Sequence, residues 1–205
     1  MNDTQIHSER PLQMASAFTH AATALALATA FRRPGPPAGF WLLGAACAAL
    51  PDIDGVGYWM GVPYESTFGH RGFTHSLFFA AVLATLVAYT RLADRWSIRR
   101  STLWLFVFLA TASHGVLDAM TTGGGGVAFF APFDNDRYFF PWRPIRVSPM
   151  SIRRFLTARG VAVLESELRW VWLPAAVFAL AMVTLRRPGE PISQRQPVGR
   201  RGRRA

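Results

Sequence analysis

Histidine and aspartate residues lie within or directly beside the apolar segments of this sequence, where polar groups are costly and usually serve a function. If successive apolar segments alternate direction across a membrane, all seven of these residues fall on the same side. They are His20, Asp52, Asp54, His70, His75, His114 and Asp118. Four imidazoles and three carboxylates in one place are typical ligands of divalent metals, so the sequence predicts a metal site.

The spacing of these residues supports that prediction. His114 and Asp118 are four residues apart and project from one helical face, although such a pair can also simply hydrogen-bond to each other. Asp52 and Asp54 follow an apolar segment between a proline and a glycine, where they suit a cation or form a turn that ends a helix. A lone histidine such as His20 is more often a hydrogen-bonded core residue, but the whole set favours a ligand role.

Gly72 permits a chain break between His70 and His75, which would diverge on a continuous helix. The candidate general acid is His70 or, alternatively, one of the metal ligands in a changed role. Arg71 is the nearest cation, and it is expected either to clamp an anionic substrate or to reach lipid head groups. The predicted metal ligands are His20, Asp52, Asp54, His75, His114 and Asp118.

The chemistry of the predicted ligands indicates which metal and which reaction to expect. A single cysteine, Cys47, excludes a thiolate cluster, and a site of imidazoles and carboxylates favours zinc, with manganese or iron as alternatives. A metal ion lowers the pKa of a bound water to about 7, so hydrolysis is the predicted reaction class.

Five apolar segments determine the predicted fold class. They cover residues 15–31, 38–50, 73–90, 101–122 and 170–185. A helix needs about 20 residues to cross the hydrocarbon core, so the third and fourth segments qualify, the first is marginal, and the second and fifth are short. We therefore predict an all-α integral membrane bundle of about five helices over residues 15–185, with an interfacial segment between the fourth and fifth helices.

Charge is concentrated outside that domain. The formal net charge is +10, and residues 186–205 hold seven arginines and one glutamate. Such a flank favours membrane topology and attraction to lipids over nucleic-acid binding, so no nucleic-acid partner is expected. Residues 1–14 are predicted to be a polar segment, and residues 186–205 a disordered tail. The arginine count places this tail in the cytoplasm and the metal site on the opposite face.

The segment between the fourth and fifth apolar segments contains three further features. Four glycines, residues 123–126, predict the end of a helix. Arg143, between Trp142 and Pro144, is a candidate for binding an anionic substrate, unless this aromatic stretch is only a structural belt at the membrane surface. Residues 149–169 are predicted to form a basic amphipathic helix on the membrane surface or a solvated connecting helix.

Three motifs resemble the YdjM-like family of bacterial inner-membrane metal-dependent hydrolases. They are Leu-Pro-Asp-Ile-Asp at 50–54, Gly-His-Arg-Gly-Phe-Thr-His-Ser at 69–76 and Ser-His-Gly-Val-Leu-Asp at 113–118. The resemblance covers residues 14–185 and implies a multi-pass protein of the bacterial inner membrane. The order of the histidines and aspartates is more remotely similar to zinc-dependent phospholipase C and the single-strand nuclease group.

The favoured function is therefore hydrolysis of an ester or phosphoester in a lipid-linked or amphiphilic substrate, with membrane lipids as partners. The alternative is a metal-ion transporter or sensor that uses the same ligands. In a third hypothesis, the histidines and aspartates only tie helices together and bind no metal. The oligomeric state stays open.

Overall fold

The computed structural model describes residues 13–31, 37–149 and 152–185, which form a bundle of helices. The first half of the chain contains α1 (Ala17–Ala30), α2 (Ala38–Ala49), a 3-10 turn (Leu50–Asp54), α3 (Gly55–Trp59), a 3-10 turn (Phe73–His75) and α4 (Leu77–Ala88). The second half contains α5 (Leu92–Arg95), α6 (Arg100–Ala119), α7 (Ile152–Phe155), α8 (Ala158–Glu167), a π-helical turn (Leu168–Trp172) and α9 (Leu173–Leu185). The predicted polar amino-terminal segment and arginine-rich tail lie almost entirely outside the described residues.

The predicted all-helical membrane bundle is confirmed, and its strands are limited, in the described residues, to one two-residue antiparallel pair. That pair joins β1 (Gln13–Met14) to β2 (Ser148–Pro149). Three helices are long and apolar enough to cross a membrane, namely Ala38–Gly57, Arg100–Ala119 and Ala158–Leu185. Ala17–Ala30 and Leu77–Ala88 are shorter apolar helices.

The lengths of individual helices differ from those predicted. The second apolar segment is not short, because the helical path continues past Ala49 through the 3-10 turn to Gly57. The third segment yields only a 12-residue helix, since Ser76 has extended backbone and separates the turn before it from α4. The side chain of Ser76 accepts a hydrogen bond from the Phe79 amide and so starts a new helix.

The helix predicted within residues 149–169 is present as α7 and α8, but α8 is continuous with the fifth apolar segment. After the short α7, the helix that begins at Ala158 runs through the π-helical turn to Leu185, so it belongs to the same element as the fifth apolar segment. No proline or glycine lies between Glu167 and Leu173 to end the helix there. The fifth segment is therefore lengthened by the polar residues before it.

The centre of the bundle is α6, against which α1, α2 and α4 pack. Its buried residues Leu103, Phe106 and Val107 join one apolar core with residues of the neighbouring helices. The rings of Phe106 and Phe40 stack with their centroids 4.1 Å apart. This core holds the amino-terminal half of α6, and it leaves the other end of α6, with His114 and Asp118, for the polar site.

Two irregular segments, residues 61–75 and 121–149, cover that polar end of the bundle. The Ala128 amide donates to the Arg71 carbonyl at 3.0 Å, and the Leu77 amide donates to the Phe129 carbonyl at 3.0 Å. Gly124 has a φ of 89°, and a Cβ there would collide with the Arg71 guanidinium. The predicted helix end before the four glycines is confirmed, because α6 ends at Ala119.

The contact between α2 and α6 at Gly44 provides a test of this packing. A Cβ on Gly44 would overlap the ring of Phe106, so Gly44→Ala is expected to destabilise the protein by about 1–3 kcal/mol through overpacking. Thermal unfolding in detergent should show a clear fall in Tm. The matched control is Gly57→Ala, whose new Cβ would meet Val62 at an ordinary 3.4 Å. Equal melting temperatures for the two variants would contradict the packing.

Candidate metal centre

Four side-chain atoms from three parts of the chain converge at the end of α6. They are Asp52 Oδ1, His75 Nε2, His114 Nε2 and Asp118 Oδ2, all within 4.8 Å of one another. His114 Nε2 lies 3.2 Å from Asp52 Oδ1 and 3.9 Å from Asp118 Oδ2. His75 Nε2 lies 3.8 Å from Asp52 Oδ1 and 3.6 Å from Asp118 Oδ2. We call these four residues the donor cluster.

Local chain geometry brings each member of the donor cluster into place. Pro51 starts a 3-10 turn at the end of α2, and this turn carries Asp52 past the end of the regular helix. Gly72 lets the chain turn so that His75 stands in its own 3-10 turn before α4. His114 and Asp118 project from the last turns of α6, as their spacing predicts.

The donor cluster lacks the hydrogen bonds that buried polar atoms normally make. Among the described residues, the buried side-chain nitrogens and oxygens without a hydrogen-bond partner all belong to the seven predicted site residues and Arg71. The four donor atoms are among them. Leaving one such group unsatisfied costs about 1–3 kcal/mol, so a concentration of them calls for a ligand.

A divalent ion fits this arrangement. Zinc binds imidazole nitrogen and carboxylate oxygen at about 2.0–2.2 Å in tetrahedral sites, which places neighbouring donor atoms roughly 3.3 Å apart. The four recorded separations, from 3.2 to 3.9 Å, are close to that value. Two nitrogens and two oxygens without sulfur also form a donor set that suits zinc, manganese or iron.

Hydrogen bonds to the Nδ1 atoms of His75 and His114 orient both rings so that their Nε2 atoms point into the donor cluster. His114 Nδ1 lies 2.6 Å from the Ala48 carbonyl oxygen, which can only accept a proton, so Nδ1 carries the hydrogen. His75 Nδ1 lies 3.1 Å from Asp54 Oδ2. In both rings Nε2 is therefore left with a free lone pair, which is the form that binds a metal.

Asp54 acts at the periphery of the donor cluster through hydrogen bonds. Its carboxylate accepts the Thr74 hydroxyl at 2.5 Å and lies 2.7 Å from His70 Nδ1. Asp54, His70 and His75 also form a second group close enough to hold an ion. Because the oxygens of Asp54 already accept hydrogen bonds, its contacts suit an orienting carboxylate better than a ligand. Its predicted ligand role stays a prediction.

His70 combines a fixed ring with an open nitrogen. Its Nδ1 is paired with Asp54, while its Nε2 is buried without a hydrogen-bond partner. Its ring packs edge-on against the ring of His75, with centroids 5.5 Å apart. A histidine held by a carboxylate on one nitrogen and open on the other is the arrangement found in general acids and bases.

Arg71 is completely buried, so the alternative that it reaches lipid head groups is wrong. Its Nε lies 3.0 Å from Asp118 Oδ2, and its terminal nitrogens donate to the Gly123 carbonyl and the Thr121 hydroxyl. These contacts hold its backbone at a φ of 63°, which is uncommon outside glycine. Arg71 is thus a fixed counter-charge to Asp118, and its predicted role in substrate binding stays a prediction.

His20 lies beside the donor cluster. Its ring stacks on the ring of His114 with centroids 3.6 Å apart, and its Nε2 is 3.8 Å from Asp118 Oδ1. Both of its nitrogens lack hydrogen-bond partners. All seven predicted residues therefore meet in one place, although His20 does not join the four closest donor atoms.

Charge balance supports one divalent ion. Asp52, Asp54 and Asp118 bring three negative charges into a region where the side chains are at most 15% exposed. When the histidines are neutral, as metal binding requires, Arg71 cancels one of the three negative charges. A buried net charge of about −2 is strongly unfavourable, and one divalent cation would neutralise it.

The other predicted substrate-binding residue lies apart from the donor cluster. Arg143 is exposed, and its guanidinium sits 4.6 Å from the centroid of the Phe139 ring. Its role in substrate binding stays a prediction. Arg137, from the same segment, braces the site, because it donates to the carbonyls of His70 and Tyr64 at 2.8 and 2.7 Å. Burial lowers the pKa of Arg137 from its ordinary value.

Sequence reasoning also missed Glu167, which it assigned to a surface helix. Glu167 is fully buried and accepts hydrogen bonds from the amide and hydroxyl of Ser16, at 2.7 and 2.6 Å. The neighbouring Ala15 amide donates to Asp118 Oδ1 at 3.0 Å. Two buried carboxylates therefore hold the start of α1 against the donor cluster. The sequence feature that could have predicted the burial of Glu167 is its position at the edge of an apolar segment, where a charged residue is costly.

The fold and the site define an integral membrane protein with a buried cluster of histidines and aspartates that could hold a metal ion at one end of its helices. The chain matches the family described as "YdjM inner membrane protein" over residues 14–189, and it belongs to that family. The resemblance seen in the sequence is thereby confirmed. Membership also supports the predicted location in the inner membrane.

Two relatives from Escherichia coli (strain K12) illustrate the similarity. The inner membrane protein YbcI is 40% identical over 163 residues, which cover 78% of this chain and 92% of the relative. The inner membrane protein YdjM is 40% identical over 83 residues, which cover 37% of this chain and 41% of the relative. No solved structure matches the chain.

Glu167 offers a test of how the start of α1 supports the donor cluster. Glu167→Ala leaves the Ser16 amide and hydroxyl without their acceptor, so we expect a loss of about 3 kcal/mol in stability, measured by thermal unfolding. Glu167→Gln keeps one acceptor oxygen and should lose less. Glu165→Ala, at an exposed position on the same helix, is the control and should melt like the parent. Indistinguishable melting of all three variants would contradict this role.

Proposed function

We propose that the protein is a membrane-embedded metal-dependent hydrolase. It binds one divalent ion, with zinc favoured, through Asp52, His75, His114 and Asp118. Its substrate is an ester, with a phosphoester favoured, in a lipid-linked or amphiphilic molecule. The observation that carries the proposal is the convergence of four buried donor atoms that have no hydrogen-bond partner.

The residues around the ion have separate tasks in this proposal. A bound zinc ion would supply Lewis acidity and activate water for attack on the ester. Asp54 orients His75 and His70 through their Nδ1 atoms, at 3.1 and 2.7 Å. His70 Nε2, the open nitrogen, takes or gives the proton that hydrolysis requires. Arg71 fixes Asp118 and adds positive charge next to the site of reaction.

An amphiphilic substrate is supported by the surroundings of the most accessible ligand. Asp52 is the most exposed member of the donor cluster, with 15% of its side chain accessible. The chain directly after it presents exposed apolar side chains, namely Ile53, Val56, Trp59 and Met60. A substrate with a hydrocarbon part can therefore approach Asp52 from the lipid. In this proposal the site faces away from the cytoplasm, and the arginine-rich tail is cytoplasmic.

Transport of metal ions is less well supported by the position of the site. A transporter needs ligands near the bilayer centre and a path to both faces. The donor cluster instead lies at one end of α6, and the part of α6 leading away from it is buried in apolar contacts of Leu103, Phe106 and Val107. The hydrolase proposal accounts for this placement directly.

Metal content tests the ion-binding part of the proposal. Detergent-purified protein should carry about one equivalent of zinc per chain, measured by plasma mass spectrometry. Asp118→Asn and His114→Ala should each lower the affinity by at least about tenfold, because each removes a donor or its charge. Asp94→Asn changes an exposed aspartate paired with Arg100 and is the matched control. Parent protein that stays metal-free after incubation with zinc would contradict the proposal.

His70→Gln tests the hydrolytic part. The variant should keep its zinc but hydrolyse bis(p-nitrophenyl) phosphate or phosphatidic acid in mixed micelles about 10²-fold to 10⁴-fold more slowly, since it removes the proton-transferring nitrogen. Its kcat should fall more than its KM rises, and the pH dependence should flatten. Zinc-loaded parent protein that cleaves no such ester would contradict the hydrolase proposal. A variant as active as the parent would contradict the role assigned to His70.

A further inference from the structure

A cavity separate from the metal centre opens between the segment after α6 and the start of α8. Its volume is about 540 Å³, within the range of small-molecule sites. It is lined by Thr122, Arg146, Val147, Ala158, Arg159, Ala162 and Val163. Two of these residues are arginines and none is acidic. The cavity therefore has a positive rim over an apolar floor.

Arg146 and Arg159 differ from the nearby arginines in that their guanidinium groups have no partner among the described residues. Arg137 donates to backbone carbonyls, while Arg143 and Arg169 lie over the rings of Phe139 and Trp170. Within the part of the chain that the structure describes, the guanidinium groups of Arg146 and Arg159 make no hydrogen bond, ion pair or ring contact. Their charges are thus available to a ligand.

The backbone around the cavity is fixed. The Arg146 amide donates to the Ser166 hydroxyl at 2.9 Å, and the Val147 amide donates to the Thr122 hydroxyl at 3.3 Å. Val147 and Val163 are buried beneath the rim. The floor and the attachment points of both arginines are therefore held by the fold before any ligand binds, which lowers the entropic cost of binding.

The height of the cavity in the bundle indicates what it meets. Glu167 and Asp118 lie at the same level, because they bind the adjacent residues Ser16 and Ala15. Arg159 precedes Glu167 by eight residues, or roughly 12 Å along a helix, on the side away from the bundle core. If the metal centre lies at the edge of the hydrocarbon, the lipid head groups occupy about the next 5–8 Å. Ala162 and Val163 precede Glu167 by five and four residues, roughly 6–8 Å, and so lie within that layer. Arg159 lies just beyond it, from where its long side chain can reach back to a lipid phosphate.

We propose that this cavity binds the phosphate group of an anionic membrane lipid. Arg146 and Arg159, which both line the cavity, would each donate hydrogen bonds to phosphate oxygens, which guanidinium groups can bind in pairs. Val147, Ala162 and Val163 would contact the apolar part of the lipid next to the phosphate. The amino-terminal turn of α8 adds a positive potential. This site is distinct from the metal centre and does not depend on the proposed hydrolase activity.

Titration of the full-length protein in dodecyl maltoside tests the proposal. The probes are dihexanoyl phosphatidic acid, dihexanoyl phosphatidylcholine and inorganic phosphate, each followed by calorimetry in a phosphate-free buffer with EDTA. Phosphatidic acid should bind more tightly than both of the others. The double variant Arg146→Gln, Arg159→Gln should weaken its binding at least about tenfold, which is the loss expected for removing charged hydrogen bonds.

Two controls separate this site from general charge effects and from the metal centre. Arg153→Gln removes an exposed arginine that does not line the cavity, and its affinity for phosphatidic acid should stay within about twofold of the parent. The EDTA in the buffer is the second control, because it keeps metal out of the donor cluster and so removes the ion that would bind a phosphate there. Failure of the proposed function would therefore not affect the result.

Three outcomes would overturn the proposal. The first is equal affinity of the double variant and the parent for phosphatidic acid. The second is an equal loss in Arg153→Gln, which would make the effect a general one of surface charge. The third is inorganic phosphate binding as tightly as phosphatidic acid, which would indicate a site for free anions and not for a lipid.

Discussion

The Asp118 carboxylate joins more parts of the metal centre than any other group in it. One oxygen accepts the Ala15 amide at the start of α1, and the other lies 3.0 Å from Arg71 Nε and faces the donor cluster. Since Asp118 is fully buried, its charge must be compensated where it stands. Arg71 supplies one positive charge, but Asp52 and Asp54 add two more negative charges nearby. This excess of negative charge, together with the buried Nε2 atoms of His75 and His114 that have no hydrogen-bond partner, is the physical reason to expect a divalent ion.

The helices around Asp118 hold the residues of the donor cluster in fixed positions. The apolar core around Phe106 fixes α6, while Glu167 and Asp118 hold the first residues of α1 in place. Packed helices with small residues at their contacts, such as Gly44 against Phe106, suit a protein surrounded by lipid. The two proposals about amphiphilic ligands rest on the exposed apolar residues that follow Asp52 and on the arginine-lined cavity at the start of α8.

The sequence was sufficient to predict the helical membrane class and the meeting of the seven histidines and aspartates. Both follow from strong signals, because polar residues in apolar segments are rare and helix direction alternates. It could not predict which of the seven converge most closely, since that depends on the turns at Pro51 and Gly72 and on hydrogen bonds such as His114 to Ala48. The burial of Arg71 and Glu167 was missed because each is charged beside a polar segment, and only the tertiary contacts with Asp118 and Ser16 place them inside.

The central claim is that a divalent ion is held by two imidazole nitrogens and two carboxylate oxygens. X-ray absorption spectroscopy at the zinc edge of the loaded, full-length protein tests it most directly. The account predicts a first shell of about four nitrogen and oxygen atoms at about 2.0 Å, with the outer-shell scattering of two imidazole rings. A six-oxygen shell without imidazole scattering, or a sulfur contribution at about 2.3 Å, would contradict it.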